Sequence, residues 1–185
     1  MGRLLGALAA SRPNGKLAEI GTGTGVGAAW VVSGMASGAS FVTVEVDDDR
    51  AAVCARLFAD SPNVRVLHGD WHKVLPPEAP FDVLFFDGGG WKRSPPAQMR
   101  AESQWALELI APGGVVAMDN LTPEHLWPTD GPRWPDALRE FWLGNDALVA
   151  TEVLTTPDSS ATVAVKALAV DEEELLPGRP PVVGP

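Results

Sequence analysis

The sequence predicts an α/β fold, a mostly parallel sheet with helices packed on both of its faces. Three observations support this prediction. A glycine-rich turn joins an apolar strand to a helix, short apolar strands alternate with helical segments, and two adjacent strands close the pattern. The 185 residues are enough for one domain with a substantial core. We expect that domain to span residues 1–170, and the acidic, proline-rich residues 171–185 to form a poorly ordered tail.

Five segments have the composition of buried parallel strands. Apolar and β-branched residues dominate them, and turn residues bound them. In the second strand, for example, β-branched residues alternate at Val42, Val44 and Val46. The five predicted strands are Leu17–Ile20, Phe41–Val46, Val64–His68, Asp82–Phe86 and Val115–Met118.

Helices are predicted where apolar residues recur at helical spacing between turn residues. Turns at Pro13–Gly15 and Ser61–Asn63 end the first and third of them, and a turn at Pro112–Gly114 follows the fourth. Cys54 falls within the third helix, where we expect a small core residue. The predicted helices are Arg3–Ala10, Val26–Met35, Asp49–Asp60, Pro96–Ile110 and Asp136–Leu143.

The end of the domain contains two strands that lie too close in sequence to be parallel. They are predicted at Leu148–Leu154 and Ala161–Ala167, and only Thr155–Ser160 separates them, with turn residues at its centre. A parallel connection needs a dozen or more residues, so these strands must be antiparallel neighbours. The sheet is therefore expected to have seven strands, of which the last two form an antiparallel hairpin.

Charge and cysteine content argue against several classes of function. The chain carries 24 acidic and 14 basic residues, a formal net charge of −10, which disfavours nucleic acid as a partner. Its single cysteine cannot form an intrachain disulfide, which fits a reducing compartment. No signal-peptide pattern and no apolar run of transmembrane length are seen. We therefore expect a cytoplasmic protein that does not bind membranes.

The first strand runs into a glycine turn, Leu17–Gly27, with glycine at every second position from Gly21. Such a turn at the start of an α/β domain lets a nucleotide-like cofactor touch the backbone. The spacing also satisfies the dinucleotide pattern, which keeps an NAD-binding enzyme open as an alternative. Glu19, two residues before the turn, argues against it because a carboxylate repels pyrophosphate. S-adenosylmethionine has no phosphate and carries an ammonium and a sulfonium group, so acidic neighbours favour it.

The stretch from Glu19 to Gly25 resembles the first motif of the class I S-adenosylmethionine-dependent methyltransferases, which reads acid-x-Gly-x-Gly-x-Gly. The resemblance implies a Rossmann-like three-layer sandwich with the strand order 3-2-1-4-5-7-6. In that family the closing hairpin distinguishes the sheet from the NAD-binding one.

Acidic residues at strand ends are the predicted cofactor contacts, because ligands of parallel sheets bind beyond the carboxyl ends of the strands. Glu45 follows the glycine turn by about twenty residues, the position of a ribose-binding acid. By the resemblance, Asp70 would meet the adenine and Trp71 would stack on it, while Glu19 would fix the turn and attract the methionine ammonium. The other expected contacts are Gly21, Thr22, Gly23, Val46 and Asp87.

Oxygen-bearing side chains at the ends of strands four and five predict a cation site. Asp87, Asp119 and Asn120 lie where neighbouring strands end, and such ligands suit Mg²⁺, Mn²⁺ or Ca²⁺. The segments Phe85–Lys92 and Gly113–Asn120 resemble the metal-dependent O-methyltransferases of the catechol and caffeoyl-coenzyme A type. A helix cap or Asx turn at Asp119, and a cofactor contact without metal at Asp87, remain the alternatives.

The resemblance implies O-methylation of a small aromatic acceptor, with Lys92 taking the hydroxyl proton and Asp87 helping to hold the reacting group. Lys92 lies farther from the strand-four acid than the family places it, so an ordinary surface lysine is the alternative. Trp91 and Trp127 are candidates to flank the acceptor, and a second copy of the chain is a candidate partner. A metal-independent N- or O-methyltransferase and a non-catalytic S-adenosylmethionine-binding protein remain alternative functions.

Overall fold

A computed structural model of the chain describes residues 1–88, 94–126 and 137–168. Seven strands form one sheet in the order β3-β2-β1-β4-β5-β7-β6, which confirms the predicted topology. The strands are β1 (Lys16–Ile20), β2 (Ser40–Glu45), β3 (Val64–His68), β4 (Phe81–Phe86), β5 (Ile110–Leu121), β6 (Leu148–Thr156) and β7 (Ser159–Lys166).

Strand direction divides the sheet into two parts. The first five strands are parallel to one another, whereas β7 pairs antiparallel with both β5 and β6. The closing hairpin is therefore confirmed, although β6 and β7 run longer than predicted and leave only Pro157 and Asp158 between them. The parallel strands all end at one edge of the sheet. The strand order reverses at β1, which has β2 on one side and β4 on the other.

The fifth strand departs most from its prediction. It begins at Ile110, so the predicted turn at Pro112–Gly114 lies inside the strand. Ile110 pairs with Phe81, and the register then shifts before Val83 pairs with Val115. Gly113 takes a positive φ of 74° at this irregularity, which explains the turn-like composition there.

Six α-helices are found in the described part of the chain: α1 (Gly2–Ala10), α2 (Val26–Gly34), α3 (Asp48–Leu57), α4 (Trp71–Val74), α5 (Pro96–Glu108) and α6 (Ala137–Leu143). Short 3-10 helices occur at Pro76–Glu78 and Glu124–Leu126. Five of the α-helices match predicted ones within a few residues. The single turn of α4 was not predicted.

The core has two halves, one on each face of the sheet. Alternate residues of β1 feed the two halves: Ala18 and Ile20 pack with α5 and α6, while Leu17 packs with α1 and α2. Cys54 is fully buried, as expected of a core residue. None of the helices in the described ranges is long and apolar enough to cross a membrane.

Candidate functional site

A cleft of about 590 Å³ opens at the carboxyl ends of the parallel strands. It lies where the strand order reverses around β1, which is the usual ligand site of an open α/β sheet. Its lining residues come from the glycine turn, the ends of β2, β3 and β4, and helices α3, α4 and α5. They are Ile20, Gly21, Gly23, Val44, Glu45, Val46, Arg50, Gly69, Asp70, Trp71, His72, Asp87, Gly88 and Glu102.

The floor of the cleft is the glycine turn between β1 and α2. The amides of Gly21 and Thr22 both donate to the carbonyl of Val44 at 3.0 Å, which fixes the turn to the end of β2. Gly21 has φ of 96°, and a Cβ there would lie 2.9 Å from the amide nitrogen of Gly88. Glycine is therefore required at this position by both its conformation and its packing.

Glu45 joins the turn to the end of β2 through its carboxylate. One oxygen accepts the Gly23 amide at 2.7 Å, and the other accepts the Asp47 amide at 3.0 Å. The side chain is 6% exposed and lines the cleft. Because each carboxylate oxygen has two lone pairs, each retains one acceptor site for a hydroxyl in the cleft.

Glu19 lies beneath the cleft, not in its wall. Alternation along β1 places it on the face of the sheet that α2 covers, where it is 0% exposed. Oε2 accepts the Thr43 hydroxyl at 2.6 Å, and the hydroxyls of Thr43 and Thr22 are 2.6 Å apart. Burial is the main reason that the pKa of Glu19 rises from 4.5 to about 8, and the charges of Asp87, Glu45 and Asp119 add to the effect.

One wall of the cleft is a cluster of aromatic and charged side chains on α4 and α5. Asp70 caps α4 and accepts both the backbone amide and Nδ1 of His72, and these contacts lower its pKa. The His72 ring lies 3.9 Å from the Trp71 ring, centroid to centroid, with 29° between their planes. Nε2 of His72 lies 2.7 Å from a Glu102 carboxylate oxygen.

Asp87 follows β4, and its amide donates to the Ile20 carbonyl at 2.9 Å. Phe85 pairs with Ala117, so continuing that register places Asp87 opposite Asp119 on the neighbouring strand. The pairing of β5 with β7 shifts between Met118 and Leu121, and this irregularity spans the Asp119 position. Among the described residues, no group of three or more His, Cys, Asp or Glu side chains is arranged to hold a metal.

Several predicted site residues lie outside what the structure describes. Lys92, Trp91 and Trp127 fall in the gaps between the described ranges, and Asn120 is described only as part of β5. Glu45, Val46, Asp70, Trp71 and Asp87 all line one cleft together with Gly21 and Gly23. Thr22 and Glu19 are buried directly below it.

The cleft also contains Arg50 and Glu102, which the sequence alone did not single out. Arg50 lies in the first turn of α3, three residues after Asp47, and Glu102 lies in the middle of α5. Neither stands at a strand end, the signal used to find the other acids. The structure also shows His72 held between two carboxylates, those of Asp70 and Glu102.

The fold is similar to that of several solved methyltransferase structures and of one protein known by its locus name. Cofactor-bound Rv0187 from MTB aligns with a TM-score of 0.72 and 24% identity, over 90% of this chain and 79% of that one. The O-methyltransferase from Bacillus cereus, in complex with SAH, aligns with a TM-score of 0.68 and 25% identity, over 89% of this chain and 80% of that one. TomG, an O-methyltransferase from Streptomyces achromogenes in complex with SAM, aligns with a TM-score of 0.64 and 27% identity, over 90% of this chain and 79% of that one.

Sequence comparison points to the same group. A Mycobacterium sp. (strain JLS) protein provisionally named an O-methyltransferase is 26% identical over 124 residues, which are 64% of this chain and 54% of that protein. The chain thus spans about half the length of the curated relatives it matches. A family model described as a methyltransferase domain matches residues 18–121, more than half of the chain and the stretch from β1 to β5. The chain therefore belongs to the methyltransferase-domain family.

Proposed function

We propose that the protein is an S-adenosylmethionine-dependent O-methyltransferase. The observation that carries the proposal is the acid-lined cleft beside β1, where the strand order of the sheet reverses. The glycine turn forms the floor of this cleft, and the Gly23 amide donates a hydrogen bond to Glu45. Proteins of similar structure from Bacillus cereus and Streptomyces achromogenes are O-methyltransferases solved with SAH and SAM, which supports the same cofactor here.

The residues of the cleft fit such a cofactor. Glu45 has acceptor capacity left for ribose hydroxyls, and Asp70 and Trp71 form a polar and aromatic wall suited to an adenine. A Cβ on Gly23 would meet nothing within 4 Å, so the backbone of the turn is open to a ligand. When bound, the cofactor supplies a methyl group on a positively charged sulfur.

Charge in the cleft favours this cofactor over a dinucleotide. Four carboxylates line the cleft, from Glu45, Asp70, Asp87 and Glu102, against the two basic side chains of Arg50 and His72. An acid-rich, partly enclosed surface attracts an ammonium and a sulfonium, whereas it repels a pyrophosphate. The same balance, with the net charge of −10, supports a small molecule and not nucleic acid as the acceptor.

Glu19 has a supporting role in this proposal. Its carboxyl is fully buried and bonds to Thr43, which in turn contacts Thr22 of the turn. We therefore assign it to holding the glycine turn in shape from below. Burial raises its pKa to about 8, so at neutral pH the carboxyl is mostly uncharged, and it makes no direct contact with the methionine ammonium.

The finer part of the proposal is a divalent cation that assists transfer to a phenol or catechol oxygen. Asp87 follows β4, Asp119 lies opposite it in the last part of β5 when the register of Phe85 and Ala117 is continued, and Asn120 follows Asp119. Carboxylate and amide oxygens are what Mg²⁺, Mn²⁺ or Ca²⁺ prefer, and a backbone irregularity such as the one in β5 often re-aims side chains beside a site. A cation there would lower the pKa of an acceptor hydroxyl, and Lys92 would accept its proton.

Calorimetry and transfer assays test the two parts of the proposal separately. S-adenosylhomocysteine should bind the protein and NAD should not, and Glu45→Ala should lose binding while Asp158→Asn, in the distant hairpin turn, keeps it. Methyl transfer from S-adenosylmethionine to a panel of catechols and phenols should then be stopped by EDTA and restored by Mg²⁺. Transfer that survives chelation would support a metal-independent enzyme, and binding without any transfer would support a non-catalytic protein.

A further inference from the structure

The imidazole of His72 bridges two carboxylates that belong to different helices. Nδ1 lies 2.8 Å from Oδ1 of Asp70, the cap of α4, and Nε2 lies 2.7 Å from Oε2 of Glu102 in α5. Both carboxylates line the cleft. The helix that carries His72 is a single turn, so this side-chain bridge is a direct link between α4 and the longer α5.

Both contacts are hydrogen bonds only when the ring is fully protonated. An ionised carboxylate can only accept, so each ring nitrogen must carry a hydrogen, and the neutral imidazole has only one. The bridge is therefore complete in the imidazolium form and loses one of its two bonds when the ring deprotonates. Bonds of this charge-assisted kind are shorter and stronger than neutral ones, and the two contacts measure 2.8 and 2.7 Å.

Two aromatic side chains pack against the ring, and a third packs against one of them. The ring stacks on Trp71, and its centroid lies 4.6 Å from that of Trp105, with 71° between the planes. Trp71 in turn meets the buried Phe86 of β4 edge to face, at 5.5 Å between centroids. His72 is thus in direct contact with Trp71 and Asp70, which form the wall assigned above to the adenine.

We propose that His72 is a positioning residue that, as an imidazolium, fixes the adenine-side wall of the cleft to α5 and makes cofactor binding depend on pH. This inference rests on the proposed function, because it names the cleft as the cofactor site. Asp70 bonds to His72 through Oδ1 alone, and among the described residues Oδ2 has no hydrogen-bond partner, which leaves it available to a ligand.

The charged groups that line the cleft around the ring are mostly acidic. Lys73 is the nearest basic neighbour along the chain, and Arg50 of α3 lies across the cleft. Four acidic residues line the same cleft, from the cap of α4, from α5, from β2 and from the end of β4. They are Asp70, Glu102, Glu45 and Asp87.

The test is the affinity for S-adenosylhomocysteine, measured by calorimetry between pH 5.5 and 8.5. We expect the unaltered protein to bind roughly tenfold more weakly at the upper end, the scale of one lost charge-assisted bond. His72→Gln should bind at the weaker level throughout, with a nearly flat pH profile. Glu102→Gln should also flatten the pH profile of binding. This variant replaces His72→Gln in the test if His72→Gln does not fold.

The matched control is His125→Gln, which removes a histidine that contacts the hairpin carbonyl of Pro157, outside the cleft. It should keep the full pH dependence. If His72→Gln and Glu102→Gln retain the same pH dependence as the unaltered protein, the inference is wrong although the cofactor site stands. If the unaltered protein binds S-adenosylhomocysteine at no pH, the proposed function itself is wrong, and this inference fails with it.

Discussion

Replacing Glu19 with glutamine should make the protein more stable, by an amount that grows with pH. The side chain is fully buried, and one of its oxygens, Oε1, has no hydrogen-bond partner in the described structure. Burial is the chief cause of a pKa raised from 4.5 to about 8. Between those values the folded protein holds a proton that the unfolded chain releases, so rising pH favours unfolding.

The size of the effect follows from the width of that interval. Each pH unit between pH 4.5 and 8 lowers the free energy of unfolding by about 1.4 kcal/mol, because one proton must be released on unfolding. From pH 5 to pH 7 the loss is about 3 kcal/mol. Glutamine has nearly the same shape and does not ionise, so Glu19→Gln should escape this loss. The stability gap between variant and unaltered protein should therefore widen by about 3 kcal/mol over the same range.

Urea unfolding at constant ionic strength, followed by circular dichroism at several pH values, measures this gap. Asp60→Asn is the control, because it removes an exposed carboxylate in the turn that follows α3 and should leave the pH profile of the unaltered protein in place. A gap between Glu19→Gln and the unaltered protein that stays constant from pH 5 to 7, within the extrapolation error, would refute the argument. It would mean that Glu19 is ionised in the folded protein and has a counter-charge.

Three further variants test other parts of the structure. Glu45→Ala removes the carboxylate that holds the Gly23 amide, and calorimetry should show S-adenosylhomocysteine binding weakened by at least roughly tenfold while circular dichroism stays unchanged. Asp119→Ala should abolish Mg²⁺-stimulated transfer and keep cofactor affinity; retained stimulation would place the cation elsewhere. Glu152→Gln removes the carboxylate that pairs with the buried Arg139 guanidinium, so urea unfolding should show a loss of about 3 kcal/mol at pH 7, and a loss under about 1 kcal/mol would contradict this. The pKa of Glu152 is lowered by its bonds to Arg139, so this contribution should disappear in the unaltered protein as pH falls through that depressed value.

The fold was largely predictable because its signals are local. Strand alternation, the glycine turn at Gly21 and the short hairpin connection each lie within a few consecutive residues, and the sheet order then followed from the family resemblance. The first part of β5 was missed because Pro112 and Gly113 have turn composition, although the backbone accommodates them as an irregularity beside Phe81. Composition alone does not separate a turn from an irregular strand.

The site was predictable where it depends on strand ends and not where it depends on contacts between distant helices. Glu45 and Asp87 follow predicted strands, so the topology alone brings them to one edge of the sheet. The bridge from His72 to Glu102 joins residues 30 positions apart on two helices, and no pattern in a single sequence reports that contact. The burial of Glu19 could have been predicted from the alternation of side chains along β1, because Leu17 and Glu19 must lie on the same face of the sheet.

The most direct test of the cofactor assignment is a crystal structure of the protein grown with S-adenosylhomocysteine and Mg²⁺. We expect density for the cofactor product in the cleft, with its ribose hydroxyls on Glu45 and its adenine beside Asp70 and Trp71. A cleft that stays empty at saturating cofactor product, or that binds a dinucleotide in preference to it, would contradict the assignment.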